Sequence, residues 1–239
     1  MAVETGSPSR RAPVTRERVL RAAVELADRD GIEALSMRRL GQEIGIEAMS
    51  LYNHVANKDD LLDGVVELVV GEIEPPVSGT DWKSTMRQRV LSARQTLVEH
   101  RWAAEVIAAR PNMTPAVLAY MDSMAAILRN GGFSVDLTHH AFHVMGSRII
   151  GFAQELYDDS GPPPEDSEAA QMMLSQMLAK YPSISEIAAQ VAHDDATTVG
   201  SGCDDQFEFE FGLDLILDGL DRLRQAQTIS GHGAAHESA

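Results

Sequence analysis

The chain has 239 residues, with 20 Lys and Arg against 36 Asp and Glu and a formal net charge of −16, enough for one large or two modest domains with a buried core. Its single cysteine, Cys203 in a polar Gly/Ser/Asp stretch, excludes an intrachain disulfide and offers neither metal-ligand spacing nor an activated thiol. The apolar run VVELVV at 65–70 is short and contains Glu67, and the basic N-terminus has no apolar stretch behind it, so a cytoplasmic protein with no membrane partner is expected. The charge is uneven. Between Arg10 and Asp60 nine basic residues balance nine acidic ones, whereas Leu61 to Ala239 carries eleven against twenty-six. An acidic chain argues against a nucleic-acid partner. A locally neutral segment can still present basic side chains to phosphate, with affinity falling with salt at a slope of roughly −0.9 per phosphate neutralised.

Residues 1–13 are rich in Ser, Pro and Arg without periodicity and are expected to form a disordered arm. Arg10 and Arg11 could reach DNA from such an arm, although a tail without a role is the plainer reading. Thr15 to Asp30 predicts a helix with Leu20, Ala23, Val24 and Ala27 on one face and Gly31 as its stop, followed by Ile32 and Leu35 closing a small core. Ser36 is a good N-cap for a second helix, with Leu40 and Ile44 inward and Gly45 as a left-handed exit. Glu47 to His54 then predicts a short helix with Leu51 and Val55 inward. Ala48, Met49, Ser50, Tyr52, Asn53 and His54 are left outside: a small apolar side chain, a hydroxyl, an amide, a phenol and an imidazole, with no acid after Glu47. That mixture suits base edges and phosphates. Asn57 caps a fourth helix reaching about Ile73, with Asp60 in capping-box spacing and Lys58 adding a cation to the helix N-terminus, where an anion is already favoured. Pro75, Pro76 and Gly79 end this helix and mark a domain boundary.

From Asp81 onward every strong pattern is helical, so the fold class expected is all-α. Met86, Val90, Ala93 and Leu97 form one stripe, and Val117, Met121, Met124 and Leu128 another, ending at Asn130-Gly131-Gly132. Val135 to Tyr157 is apolar around most of its circumference, with Leu137, Ala141 and Val144 on one side and Phe142, Met145, Ile149, Phe152 and Leu156 on another. Such a helix must be covered on both sides, and it can pack on its own domain with one face and on a second subunit with the other. The run 158–166, DDSGPPPED, is a connection. Helices follow at about Glu168 to Tyr181, with Met173, Leu174, Met177 and Leu178 inward, and from a Ser183/Glu186 capping box to about Ala192. In the final helix Phe209, Leu213, Ile216, Leu220 and Leu223 repeat with coiled-coil spacing, and from Gln227 a Gly/Ala/His-rich disordered tail is expected.

The pieces GIEALSMRRLGQEIGI and SLYNHVANKDDLL, within Val14 to Leu62, resemble the DNA-binding head of the tetracycline-repressor family; the second is the more specific. RNGGFSVDLTHHAFHVMGSRIIGF and DQFEFEFGLDLILDGLDRL resemble the C-terminal ligand-binding and dimerisation domain of the branch nearest the tetracycline repressor. The resemblance implies a helix-turn-helix head at 14–74 and a larger helical domain at 81–226, paired through the 135–157 helix and the final helix. It implies a ligand-responsive repressor that binds a palindromic operator in double-stranded DNA as a homodimer and is released by a small molecule.

Carried over residue by residue, the resemblance makes Arg38 a base-reading arginine and Tyr52, His54 and Lys58 phosphate contacts, with Ser50 where the family commonly has Thr or Ser. Ala48, Met49 and Asn53 depart from the tetracycline repressor. From their chemistry Ala48 and Met49 are expected to meet thymine methyls and Asn53 to read adenine. Candidate ligand residues are Trp102, Met113, Met121, Met124, Phe133, His139, His143, Arg148 and Phe152, although Met and Phe at helical spacing more often mean core. His139 and His143 lie four apart with no third metal ligand in sight, so no metal and no cofactor are expected. Ile107 stands near the position of the histidine that helps bind the drug's magnesium ion in the tetracycline repressor, which argues against tetracycline as effector. Two alternatives stand beside the repressor: a small-molecule or partner-binding protein whose head no longer reads DNA, and an enzyme. The second lacks a nucleophile with a base, a metal set or a phosphate loop.

Overall fold

The computed structural model describes residues 13–77, 79, 81–151, 172, 176, 179–183, 185–186 and 205–236. Residues 1–12 of the arm expected at 1–13, the expected 158–166 connection, the residues Met173, Leu174, Met177 and Leu178 expected to face inward, most of the helix expected after Ser183, Cys203 and Phe152 lie outside them. Among the described residues all regular structure is helical: α1 (Arg16–Asp30), a 3-10 turn (Ile32–Ala34), α2 (Met37–Ile44), α3 (Ala48–Leu51), α4 (Lys58–Gly71), α5 (Trp82–Glu99), α6 (Ala103–Ala109), α7 (Pro115–Asn130), α8 (Val135–Gly151) and α9 (Asp205–His236). These pack as two compact units. One comprises the residues up to Pro75 together with Ser92–Met124, the other Pro76–Leu91 and the residues from Ala125 on.

In the first unit, Thr15 caps α1 by accepting the Arg18 N–H at 3.2 Å, and Gly31 ends it at φ 80°. Val19, Leu20, Ala23, Leu26 and Ala27 of α1 meet Leu35, Leu40, Leu51, Val55, Leu61, Val65 and Val69, all buried. Each buried Val or Leu side chain contributes about 1.5–3 kcal/mol through removal from water. Ile32 and Ile44 remain half-exposed, so the small core closes on Leu35 and Leu40. α4 ends at Gly71, slightly short of Ile73. It also holds the segment after α6. Arg110 pairs with Asp59 at 2.9 Å and Asp63 at 2.7 Å, and Glu67 accepts the Ala116 N–H at 2.8 Å in the first turn of α7.

The second unit contains α8 packed on α9. Leu137, Ala141 and Met145 are the inward stripe of α8, while Val144 faces out, because residues four apart stay in line along a helix. On α9 the buried set is Phe209, Leu213, Leu217 and Leu220; Ile216 is only half-buried and Leu223 is exposed. The inward face is therefore turned toward Leu217 from the coiled-coil stripe that the sequence spacing suggests. α9 also continues as helix to His236, past the end expected at Gln227, because a formed helix propagates at low cost per residue through a segment such as Ala226 to Ile229. The start of α5 is tied to α9 by ions: Arg87 donates to Asp214 at 2.8 Å and Glu210 at 2.6 Å, and Lys83 pairs with Asp218. Trp82 stands edge-on to Phe133, 4.6 Å between ring centres, and a Cβ on Gly131 would lie 2.7 Å from its side chain, so only glycine fits beneath the indole.

Candidate nucleic-acid interface

The surface with the most definite local architecture is built by α2, α3 and the start of α4. Ser36 Oγ accepts the Arg39 N–H at 3.3 Å and starts α2. Arg39 itself pairs with Asp30 at 2.7 Å, and the Arg29 fork spans both oxygens of Glu43 at 3.2 and 3.0 Å. Arg38 is exposed and makes no ion pair among the described residues, which leaves its planar fork available.

Two glycines make the turn. Gly45 takes the left-handed conformation at φ 73°, and the Ile46 N–H donates to the Gly41 carbonyl at 2.9 Å. At Gly41 a Cβ would sit 2.9 Å from the Ile46 carbonyl oxygen and 3.1 Å from the Ala48 nitrogen, both rigid backbone. The closeness of α2 to α3 thus depends on a missing side chain.

α3 is shorter than the expected Glu47–His54. Four residues are α-helical, and the chain then tightens, with Asn53 and His54 donating their N–H groups to the carbonyls of Ser50 and Leu51 at 3.3 and 2.8 Å. Leu51 and Val55 are buried as expected. Met49 is 74% exposed and Tyr52 46%, and none of Arg38, Ala48, Ser50, Asn53, His54 and Lys58 is buried. All eight residues lie in the first unit.

The end of α3 is braced by Arg16. Its guanidinium donates to the His54 carbonyl at 2.8 Å and to both oxygens of Asp60 at 2.9 and 2.6 Å. Asn57 caps α4 by accepting the Asp60 N–H at 2.9 Å, but the return half of the expected capping box is absent. Asp60 Oδ2 accepts the Ala56 N–H at 2.7 Å instead, because Arg16 holds that carboxylate turned toward the head. The Arg16 bond, then the Ala56 N–H, keep the Asp60 pKa below the usual carboxylate value.

The candidate ligand residues divide between the units. Trp102 is buried in the first, its indole N–H donating to Asp28 at 2.7 Å, and Met124 is buried. Met121 is half-exposed, and Met113, 56% exposed, lines a cleft of about 290 Å³ with Arg16, Asp63, Gly64 and Glu67. In the second unit Phe133 is buried, while His139 and His143 are exposed with ring centres 4.7 Å apart. Arg148 donates to the Glu208 carbonyl and lies 5.2 Å over the Phe209 ring; burial pulls its pKa down. Among the described residues no group of three His, Cys, Asp or Glu could hold a metal ion, and no helix is long and apolar enough to cross a membrane.

Gly41, Arg16 and His100 were not singled out by sequence reasoning. A glycine inside an amphipathic helix costs roughly 1 kcal/mol against alanine, so Gly41 carried a signal. Arg16 and Asp60 are 44 residues apart in sequence, and nothing local announces their pairing.

Two family descriptions match the chain: bacterial regulatory proteins, tetR family, over residues 19–65, and tetracyclin repressor-like, C-terminal domain, over residues 75–224. The HTH-type transcriptional repressor DrrR1 of Streptomyces coeruleorubidus is 32% identical, over 92% of this chain and 83% of its own length. An HTH-type transcriptional regulator of Saccharopolyspora erythraea is 41% identical, and that match spans only about half of each protein, 52% of this chain and 54% of the relative. Among solved structures, ActR of Streptomyces coelicolor in complex with actinorhodin superposes with a TM-score of 0.68 at 28% identity, over 87% of this chain and 96% of its own.

Proposed function

The chain belongs to the tetR family of bacterial regulatory proteins, and from that premise we propose that it is a transcriptional repressor that binds a palindromic operator as a homodimer and is released by a small molecule. The observation that carries this reading is the surface of α3: polar and apolar tips free of acid, held outward by buried Leu51 and Val55, with Arg38 free of an ion partner among the described residues. In the proposed complex Arg38 reads guanine, Ala48 and Met49 meet thymine methyls, Asn53 pairs with adenine, and Ser50, Tyr52, His54 and Lys58 position the phosphates. A two-fold dimer sets two such surfaces about one DNA turn apart, hence the palindrome. Phe207, Phe211 and Leu215 of α9 and Val144 of α8, all exposed, favour an apolar partner such as a second copy. The ActR relative bound to actinorhodin supports a ligand-binding role for the matching C-terminal domain.

Footprinting on the DNA adjoining the coding sequence is the test. Protection of two half-sites about 10 base pairs apart is expected; absence of protection at low salt would sink the DNA-binding reading. Compounds that occupy the C-terminal domain yet leave operator affinity unchanged would remove the switching half. Coupling of the usual size changes that affinity by roughly 5- to 150-fold.

A further inference from the structure

His100 follows α5 and is buried, 8% exposed. Each of its ring nitrogens faces a carboxylate: Nδ1 lies 2.8 Å from Asp28 Oδ1 on α1, and Nε2 lies 3.0 Å from Glu72 Oε2 at the end of α4. A neutral imidazole has one N–H and one lone pair, so in that state one contact sets a lone pair against a carboxylate oxygen; only the imidazolium donates to both. The same Asp28 oxygen accepts the Trp102 indole N–H. Asp28 is followed by Arg29 and Asp30, which bind Glu43 and Arg39 of α2. Three consecutive residues at the end of α1 therefore engage both the first helix of the helix-turn-helix and the His100–Trp102 pair.

We propose that His100 is a positioning residue for operator binding: by bridging Asp28 and Glu72 it locks the ends of α1 and α4 together, and through Asp28–Asp30 it fixes the seat of α2. The proposal rests on the DNA-binding reading above. It also makes that reading sensitive to pH. Burial disfavours the charged ring, but the bonds to Asp28 and Glu72 outweigh it and hold the imidazole pKa above its usual 6.5. A raised folded pKa contributes stability that is fully present below the unfolded value and is lost as pH rises through the folded one. The remaining charges around the ring are Arg21 and Glu25 of α1 and Glu67 of α4, which line the same cleft, and Arg101, the next residue. With Asp28 and Glu72 counted, four carboxylates stand against two cations, which favours the proton.

An imidazole NMR titration of the full-length protein without DNA tests the clamp, with the His100 resonance identified by its loss in His100→Gln. A midpoint above 6.5 that falls in Glu72→Gln is expected; a midpoint at or below 6.5 overturns the proposal. Operator Kd from pH 6 to 9 tests the consequence. Wild-type affinity should drop about fivefold to tenfold as the ring loses its proton, while His100→Gln should be weaker by a similar factor at pH 6 and nearly flat above it. Equal affinities and profiles for the two proteins would defeat the positioning role while leaving operator binding intact. A clamp that titrates as expected in a protein that binds no operator at any pH would instead remove the DNA-binding reading, and the proposal with it.

Discussion

The α2–α3 pair and the α8–α9 pair each expose side chains, but of opposite kinds. On α3 and the turn after it the outward residues are Met49, Ser50, Tyr52 and Asn53, mostly polar, on a frame fixed by Ser36, Gly41, Gly45 and Arg16. On α9 they are Phe207, Phe211 and Leu215, a stripe four residues apart on the side away from the buried Phe209 and Leu213. A polar tip loses little in water and gains from a partner with donors and acceptors; an apolar stripe gains only when another apolar surface covers it. The two surfaces therefore suit partners of different chemistry, which in the proposed reading are duplex DNA for one and a second copy of the chain for the other.

The sharpest way to break this contrast is to place charge on the apolar stripe. Phe211→Asp with Leu215→Asp should yield monomers in sedimentation velocity and weaken operator binding about a hundredfold or more, because two linked half-site contacts become one. A variant that stays dimeric would show that α9 is not the interface. Next in size is the frame of the other surface. Gly41→Ala should cost about 1–3 kcal/mol in denaturant unfolding, since the backbone at Ile46 and Ala48 must give way to the new methyl group.

Much of that frame is legible in the sequence. Ser36, Gly45 and Asn57 act locally, through bonds within a few residues, and each stands where cap and turn chemistry expects it. Pattern reading likewise finds the buried Met86, Val90, Ala93 and Leu97 of α5. What it misses is set by partners distant in sequence: Arg16 turning Asp60 away from the capping box, His100 between Asp28 and Glu72, and the rotation of α9 that buries Leu217 and half-exposes Ile216. Periodicity marks where a helix is apolar. Which of two adjacent apolar strips turns inward is decided by the neighbour it packs against.

Finer tests act on the outward residues alone. Asn53→Ala should remove about 1–3 kcal/mol of discrimination at a single operator base while unfolding like the wild type; uniform weakening across all single-base operator variants would assign Asn53 to positioning instead. Replacing thymine by uracil, which deletes only the methyl group, should weaken the wild type more than Met49→Ala if Met49 lies on that methyl. Ser36→Ala should cost the least, about 1 kcal/mol of stability, read as a small fall in thermal midpoint.

The brevity of α3 has an evolutionary corollary. Four α-helical residues cannot hold their shape alone, so a synthetic peptide copied from 47–54 should be unstructured and inert toward DNA. The scaffold supplies the order, and the outward positions are nearly neutral for folding. Such positions can be exchanged without unfolding penalties, so, if they read DNA as proposed, a lineage could retarget this head to a new operator by a few substitutions at 48, 49 and 53 while its architecture stands still.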